Sequence, residues 1–206
     1  QKEIKMKVLV VAEHNNAELL PATLHTVNAA NQIDSSDLLV IGSKCENVVK
    51  SSINVNGINK ILCCDNDIYK NQLAENASTL IKSIAEEYTH IFFANTANGK
   101  NIAPRVAALL DVMIVPDIIE IIDHQTFKRP IYAGNAIATC ESNDTFKVVT
   151  VRTTAFEKAD LSDQEVEVTN LEADSSSELS KYINSELSKS ERPELTAADI
   201  VVSGGR

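Results

Sequence analysis

Two stretches of this chain carry residue types that could hold a charged ligand. Ser203-Gly204-Gly205-Arg206 follows the apolar, β-branched run Ile200-Val201-Val202. A strand that ends in a glycine pair lets backbone N–H groups approach a phosphate closely, and a guanidinium beside it adds a fixed cation. Residues 200–203 are therefore read as a short buried strand, with Gly204 and Gly205 as the turn that a ligand approaches. The second stretch is Gly99-Lys100-Asn101-Ile102-Ala103-Pro104-Arg105. A glycine and two cations near a helix start could hold an anion. The plainer reading is preferred: a loop–helix junction in which Gly99 makes the turn, Pro104 takes an early helical position and Arg105 forms a structural ion pair.

The other chemistry-bearing residues form no constellation. His14, His25, His90 and His124 lie far apart and lack ligand spacing. His14 follows the first strand, where open α/β sheets bind ligands, yet a hydrogen-bonded structural histidine is the favoured reading. Cys45, Cys63, Cys64 and Cys140 show no Cys-x-x-Cys pattern. They are read as buried reduced thiols, with the adjacent Cys63 and Cys64 facing opposite sides of a strand. No catalytic residue and no metal site are expected. Glycine is scarce, at six residues, and the phosphate-binding glycine motifs are absent. The turn after the first strand, Glu13-His14-Asn15-Asn16, contains none, so a self-contained nucleotide site within residues 1–195 is not expected.

The elements that must position these residues alternate. Val8 to Ala12 is a continuous apolar run, as in a strand covered on both faces. A helix from Pro21 to about Asn31 follows, then a strand at Leu38 to Ile41, a short amphipathic helix around Val48 to Ile53, and a strand at Ile61 to Cys64. Gln72 to Tyr88 reads as a long helix, Ile91 to Ala94 as a strand, Pro104 to Leu110 as a helix and Met113 to Val115 as a strand. This alternation means an α/β fold, a mostly parallel sheet with helices on both faces. From Asp117 the rhythm changes. Ile118 to Ile122, Phe127 to Tyr132, Ala136 to Cys140 and Lys147 to Arg152 are short strands joined by turns, read as a small antiparallel β extension. Glu157 to Arg192 holds ten acidic residues against four basic ones and is read as a solvated acidic face. Within it, Asp174 to Glu178 is a flexible loop or a helix start. Pro193 marks a linker over residues 191–198.

Composition excludes several classes. A net charge of −10 opposes a surface that binds a phosphate backbone, and 4% aromatic residues with no Trp oppose a base-stacking platform. No apolar run is long enough to span a bilayer.

The order and spacing of five segments resemble the alpha subunit of electron-transfer flavoprotein. They are Val8–His14, Gly99–Ala108, Ile131–Ala136 (IYAGNA), Val151–Phe156 (VRTTAF) and, most specific, Arg192–Arg206 (RPELTAADIVVSGGR). The resemblance implies residues 1–190 as an N-terminal α/β scaffold domain, 191–198 as a linker, and 199–206 as the first strand and Gly-Gly turn of a truncated FAD-binding domain. It implies an electron carrier rather than an enzyme, working in fatty acid β-oxidation. The carrier would take electrons from acyl-CoA and other dehydrogenases and pass them to a quinone oxidoreductase, as a heterodimer with a beta subunit. The compartment would be the bacterial cytoplasm or, alternatively, the mitochondrial matrix. Arg206 matches an arginine that contacts FAD in the family, with Gly204 and Gly205 keeping the approach open, while residues 1–206 alone are not expected to retain flavin. The alternative is a freestanding AMP- or ATP-binding α/β module.

Overall fold

The computed structural model describes residues 6–174, 176–186 and 200–205. In chain order its elements are β1 (Val8–Val11), α1 (Pro21–Ala30), β2 (Ser36–Gly42), α2 (Glu46–Ser52), β3 (Ile58–Asp65), α3 (Ala74–Ile84), β4 (His90–Ala94), α4 (Ala97–Leu109), β5 (Ile114–Ile118), β6 (Glu120–Ile121), β7 (Thr126–Ile131), β8 (Ala136–Glu141), β9 (Lys147–Val151) and β10 (Glu167–Asn170). Among the described residues the main sheet has seven parallel strands in the order β10-β3-β2-β1-β4-β9-β5, and β6-β7-β8 form a separate antiparallel sheet. The expected α/β architecture is present.

Alternation along each buried strand splits the core into two layers. Val8, Val10, Leu38, Val40, Ile61 and Phe92 face α1 and α2, and Phe127 of β7 packs on this same side. Leu9, Val11, Leu39, Leu62, Ile91 and Phe93 face α3 and α4. The two sulfurs of Cys63 and Cys64 separate as expected, one into each layer.

Four elements depart from the sequence reading. Lys147–Val151 does not join the antiparallel extension; it lies between β4 and β5 in the main sheet, parallel to both and buried at all five positions. A KVVTV run buried on both faces belongs in a parallel sheet, and the turn-rich residues before it concealed that. Glu167–Asn170, inside the acidic stretch, pairs with β3 as an edge strand. Edge strands tolerate charge on their open side, and Val168 packs on the core beneath.

Helix α4 begins at Ala97, not Pro104. Thr96 caps it, accepting from the Gly99 N–H at 3.1 Å, and Pro104 sits inside the helix on its exposed side. Proline has no N–H to donate to the carbonyl one turn back, so that helical bond is missing there. Finally, residues 200–203 form no strand. Ile200 and Val202 are 84% and 92% exposed, because no neighbouring strand pairs with them among the described residues.

Candidate functional site

The chain steps from β1 outward to β2 and β3, then returns to place β4 on the other side of β1. The carboxyl ends of β1 and β4 therefore flank the point where strand order reverses, the usual ligand crevice of such sheets. Here the chain's own side chains fill it. His14 is buried, and its Nδ1 accepts from the Asn16 N–H at 3.1 Å and lies 3.2 Å from Gln72 Nε2, which also donates to the His14 carbonyl at 3.0 Å. Asn98 reaches Gln72 Oε1, and Asn16 ties the plug to Ser43 N and the Lys70 carbonyl. Burial lowers the His14 pKa to about 4, so the ring is neutral at pH 7. Gly42 makes the plug possible, since a Cβ there would sit 2.4 Å from Asn16 Oδ1. The remaining cavity, bounded by Val11, Ile41, Gln72 and Asn98, measures about 20 Å³. That is room for about one water and far too little for a nucleotide.

The N-terminus of α4 opens onto this crevice, and its anion seat is taken as well. The Glu13 carboxylate accepts from the Thr96 and Asn98 side chains; burial raises its pKa, and those two bonds oppose the rise. A helix N-terminus favours negative charge, and Glu13 supplies it from within. The Gly99–Arg105 stretch thus lies within a helix instead of leading into one. Gly99 is required because a Cβ would come 1.9 Å from the Ala94 carbonyl oxygen of β4. Lys100 is exposed, and Arg105 lies near Glu75, whose pKa it helps to lower after the larger effect of the Ser180 hydroxyl.

A second site was not singled out from the sequence, although two of the diagnostic segments build it. Strand β5 bulges between Val115 and Ile118, at Pro116 and Asp117, and Asp117 takes φ = 60°. The bulge turns the Asp117 carboxylate onto Arg152, which binds it through Nε at 3.0 Å and through a terminal guanidinium nitrogen. Asn95 donates to the same carboxylate, Thr150 donates to Asn95, and the Asp117 N–H donates to Thr150 Oγ1. Beside this network lies an open depression of about 460 Å³ lined by Arg129, Arg152 and the Tyr132-Ala133-Gly134 turn between β7 and β8. All three turn residues are left-handed, at φ = 49°, 53° and 91°. Hairpin turns favour that hand, but Tyr and Ala adopt it at about 1 kcal/mol each. Tyr132 is 79% exposed and Ile137, on the next strand, 52%. The signal that could have found this site is the juxtaposition of segments 131–136 and 151–156, which periodicity does not reveal.

The sites expected at the end of the sequence stand apart from both. Gly204 and Gly205 are exposed and have no atom within 4 Å of a Cβ placed on them. Arg206 and the 191–198 linker lie outside the described residues.

The chain matches the electron transfer flavoprotein domain family over residues 8–176. It belongs to that family. It is 48% identical to the electron transfer flavoprotein subunit alpha of Pseudomonas aeruginosa, over 98% of this chain and 65% of that protein. With the mitochondrial subunit alpha of Dictyostelium discoideum it shares 44% identity, over 96% of this chain and 61% of the relative. The subunit alpha of Paracoccus denitrificans is 40% identical, over 98% and 65%. The chain thus spans 61–65% of the length of these relatives. Family membership makes flavin the cofactor to test against the fold. The described residues do not fit it: the switch-point crevice is filled, and Gly204 and Gly205 face open space. No helix among the described residues is long and apolar enough to cross a membrane.

Proposed function

We propose that residues 1–190 are the scaffold domain of an electron-transfer flavoprotein alpha subunit, which pairs with a beta subunit and supports a flavin-bearing domain beginning at about residue 199. The observation that carries this reading is the self-filled crevice at the strand-order switch. A domain that closes its own nucleotide position with Glu13, His14, Asn16, Gln72 and Asn98 is built to support other domains. The same feature weighs against the freestanding AMP- or ATP-binding module. FAD in such a protein would accept and release electrons between acyl-CoA and other dehydrogenases and a quinone oxidoreductase. In that setting Arg206 would lie against the cofactor, where a guanidinium stabilises phosphate charge or an anionic reduced flavin, and Gly204 and Gly205 would keep the approach clear.

For the subunit contact, the exposed Tyr132 and Ile137 at one end of the β7–β8 hairpin supply an apolar surface rimmed by Arg129 and Arg152. Tyr is over-represented where interfaces concentrate their energy. The test is co-expression with the beta subunit of the same organism, followed by affinity capture of this chain. A one-to-one complex is expected, together with no uptake of AMP or ATP by the isolated chain in equilibrium dialysis. Stoichiometric nucleotide binding by the chain alone would overturn the scaffold reading in favour of the module.

A further inference from the structure

The sulfurs of Cys45 and Cys63 lie 3.9 Å apart, and Cys45 Sγ is 3.5 Å from Asp65 Oδ2. Cys45 precedes α2 at the end of the β2–α2 turn, and Cys63 lies on β3, so the pair spans two elements. Asp65 fixes the turn by accepting the Lys44 and Cys45 N–H groups at 2.7 and 2.9 Å. Immediately outside is an open depression of about 470 Å³ lined by Lys44, Glu46, Asn47 and Asp65. Neither sulfur lines the depression, Cys45 being fully buried and Cys63 6% exposed, so only the Lys44–Asn47 turn and Asp65 separate the thiols from it. Two thiols in contact beside a carboxylate and beneath a single turn are more than close packing of small apolar groups requires.

We infer that Cys45 and Cys63 form an oxidisable dithiol site that a hydroperoxide entering this depression converts to a disulfide. In the first step the Cys63 sulfur attacks a peroxide oxygen, the O–O bond breaks, and the products are a sulfenic acid and water or an alcohol. In the second the Cys45 sulfur attacks the sulfenic sulfur. The S–O bond breaks, and the hydroxide leaves as water with the proton from the Cys45 thiol, which Asp65 is placed to relay. The two sulfurs together lose two electrons and the peroxide gains two. The contact between the thiols supports the order of events: hydrogen bonding from Cys45 holds the Cys63 thiol below the ordinary cysteine range and pushes Cys45 above it. The resulting bridge would tie the start of α2 to β3.

The other two cysteines serve as internal references. Cys64 points into the opposite layer beside Tyr69, and Cys140 is half-buried on the edge strand β8. The experiment is hydrogen peroxide treatment of the reduced chain, quenching, alkylation in denaturant and peptide mapping without reductant. The expected product is peptide 45–50 joined to peptide 61–70, two hydrogens lighter than the separate peptides and released by dithiothreitol. Cys64→Ser should leave the joined product unchanged. Cys45→Ser should abolish it and leave Cys63 as a sulfenic acid that dimedone traps. The proposal is overturned if Cys45 and Cys63 both remain fully alkylatable at a dose that oxidises Cys140. It is equally overturned if the joined product disappears in Cys64→Ser or if dimedone labels no Cys63 in Cys45→Ser.

Discussion

Gly99→Ala tests whether the contact between α4 and β4 closes the switch-point crevice. In an unconstrained helix the change stabilises, by about 1 kcal/mol of intrinsic propensity. Here the new methyl would lie 1.9 Å from the Ala94 carbonyl oxygen and 3.1 Å from its carbon. Real Cβ contacts stop near 3.0 Å, so the helix start must move by about 1.1 Å against a strand buried at all five positions. Overpacking of this kind costs up to about 3 kcal/mol, and the clashing atom is backbone that no rotamer change can remove. Subtracting the propensity gain leaves a net loss of about 2 kcal/mol. For a chain of this size that is a fall in Tm of roughly 4–8 °C. The shift also separates Thr96 and Asn98 from Glu13, so the crevice should open to solvent. Thermal unfolding followed by circular dichroism measures the effect. Gly134→Ala, at φ = 91° with no atom within 4 Å, is the comparator and should lose only the roughly 1 kcal/mol of a left-handed alanine. A Gly99→Ala protein as stable as the parent, or more so, would refute the argument.

Further predictions concern charge and contact. His14 and His90 both have pKa values lowered to about 4 by burial, and His90 Nε2 also donates to the His124 carbonyl at 2.6 Å. The unfolded chain therefore binds more protons than the fold between about pH 6.5 and pH 4, and stability falls with pH through that window. The loss from pH 7 to pH 5 is about 2 kcal/mol per histidine, read from urea unfolding at the two pH values; equal midpoints would contradict it. Asp117→Asn keeps a residue that tolerates φ = 60° but leaves Arg152 without its counter-charge. With side-chain exposures of 22% and 43%, the expected loss is about 1 kcal/mol, and it should shrink in high salt. Tyr132→Ala should leave Tm unchanged or raised, since it relieves little packing, while weakening beta-subunit capture about tenfold; unaltered capture would remove the hairpin from the interface.

The parallel half of the fold was legible because its signals are local. Val8 to Ala12 and Ile91 to Ala94 are runs that only a doubly covered strand accommodates, and Pro21 marks the first turn of α1. Where the reading failed, the deciding contact was distant in sequence. Lys147–Val151 resembles the preceding antiparallel strands in length and turn flanks, and only its slot between β4 and β5 separates it from them. Pro104 marked a helix start on local grounds, yet the cap is Thr96 and the constraint that defines the first turn is the Ala94 carbonyl. Asp174 to Glu178, read as a flexible loop or a helix start, is held at Asp174 and Ser177 by Tyr69 and α3, and Ser180 beyond it is held as well. The Asp174 N–H donates to Tyr69 Oη, the Ser177 N–H to Asn76 Oδ1, and the Ser180 hydroxyl to Glu75. Nothing in the glycine-poor first turn signalled that Glu13 would reach the side chains of Thr96 and Asn98 at the start of α4.

The position of β9 governs the order in which the sheet can be completed. Among the described residues strand β5 pairs only with β9, which follows it after the whole antiparallel excursion through β6, β7 and β8. At the other edge β10 joins β3 at Lys60↔Glu167, across more than a hundred residues. During synthesis, then, β1 to β4 can assemble as they emerge from the ribosome, whereas β5 must wait unpaired until residue 151 has been made. Both flanks of the sheet therefore close late, which makes the nascent chain depend longest on protection at the edge where Asp117 and Arg152 finally meet.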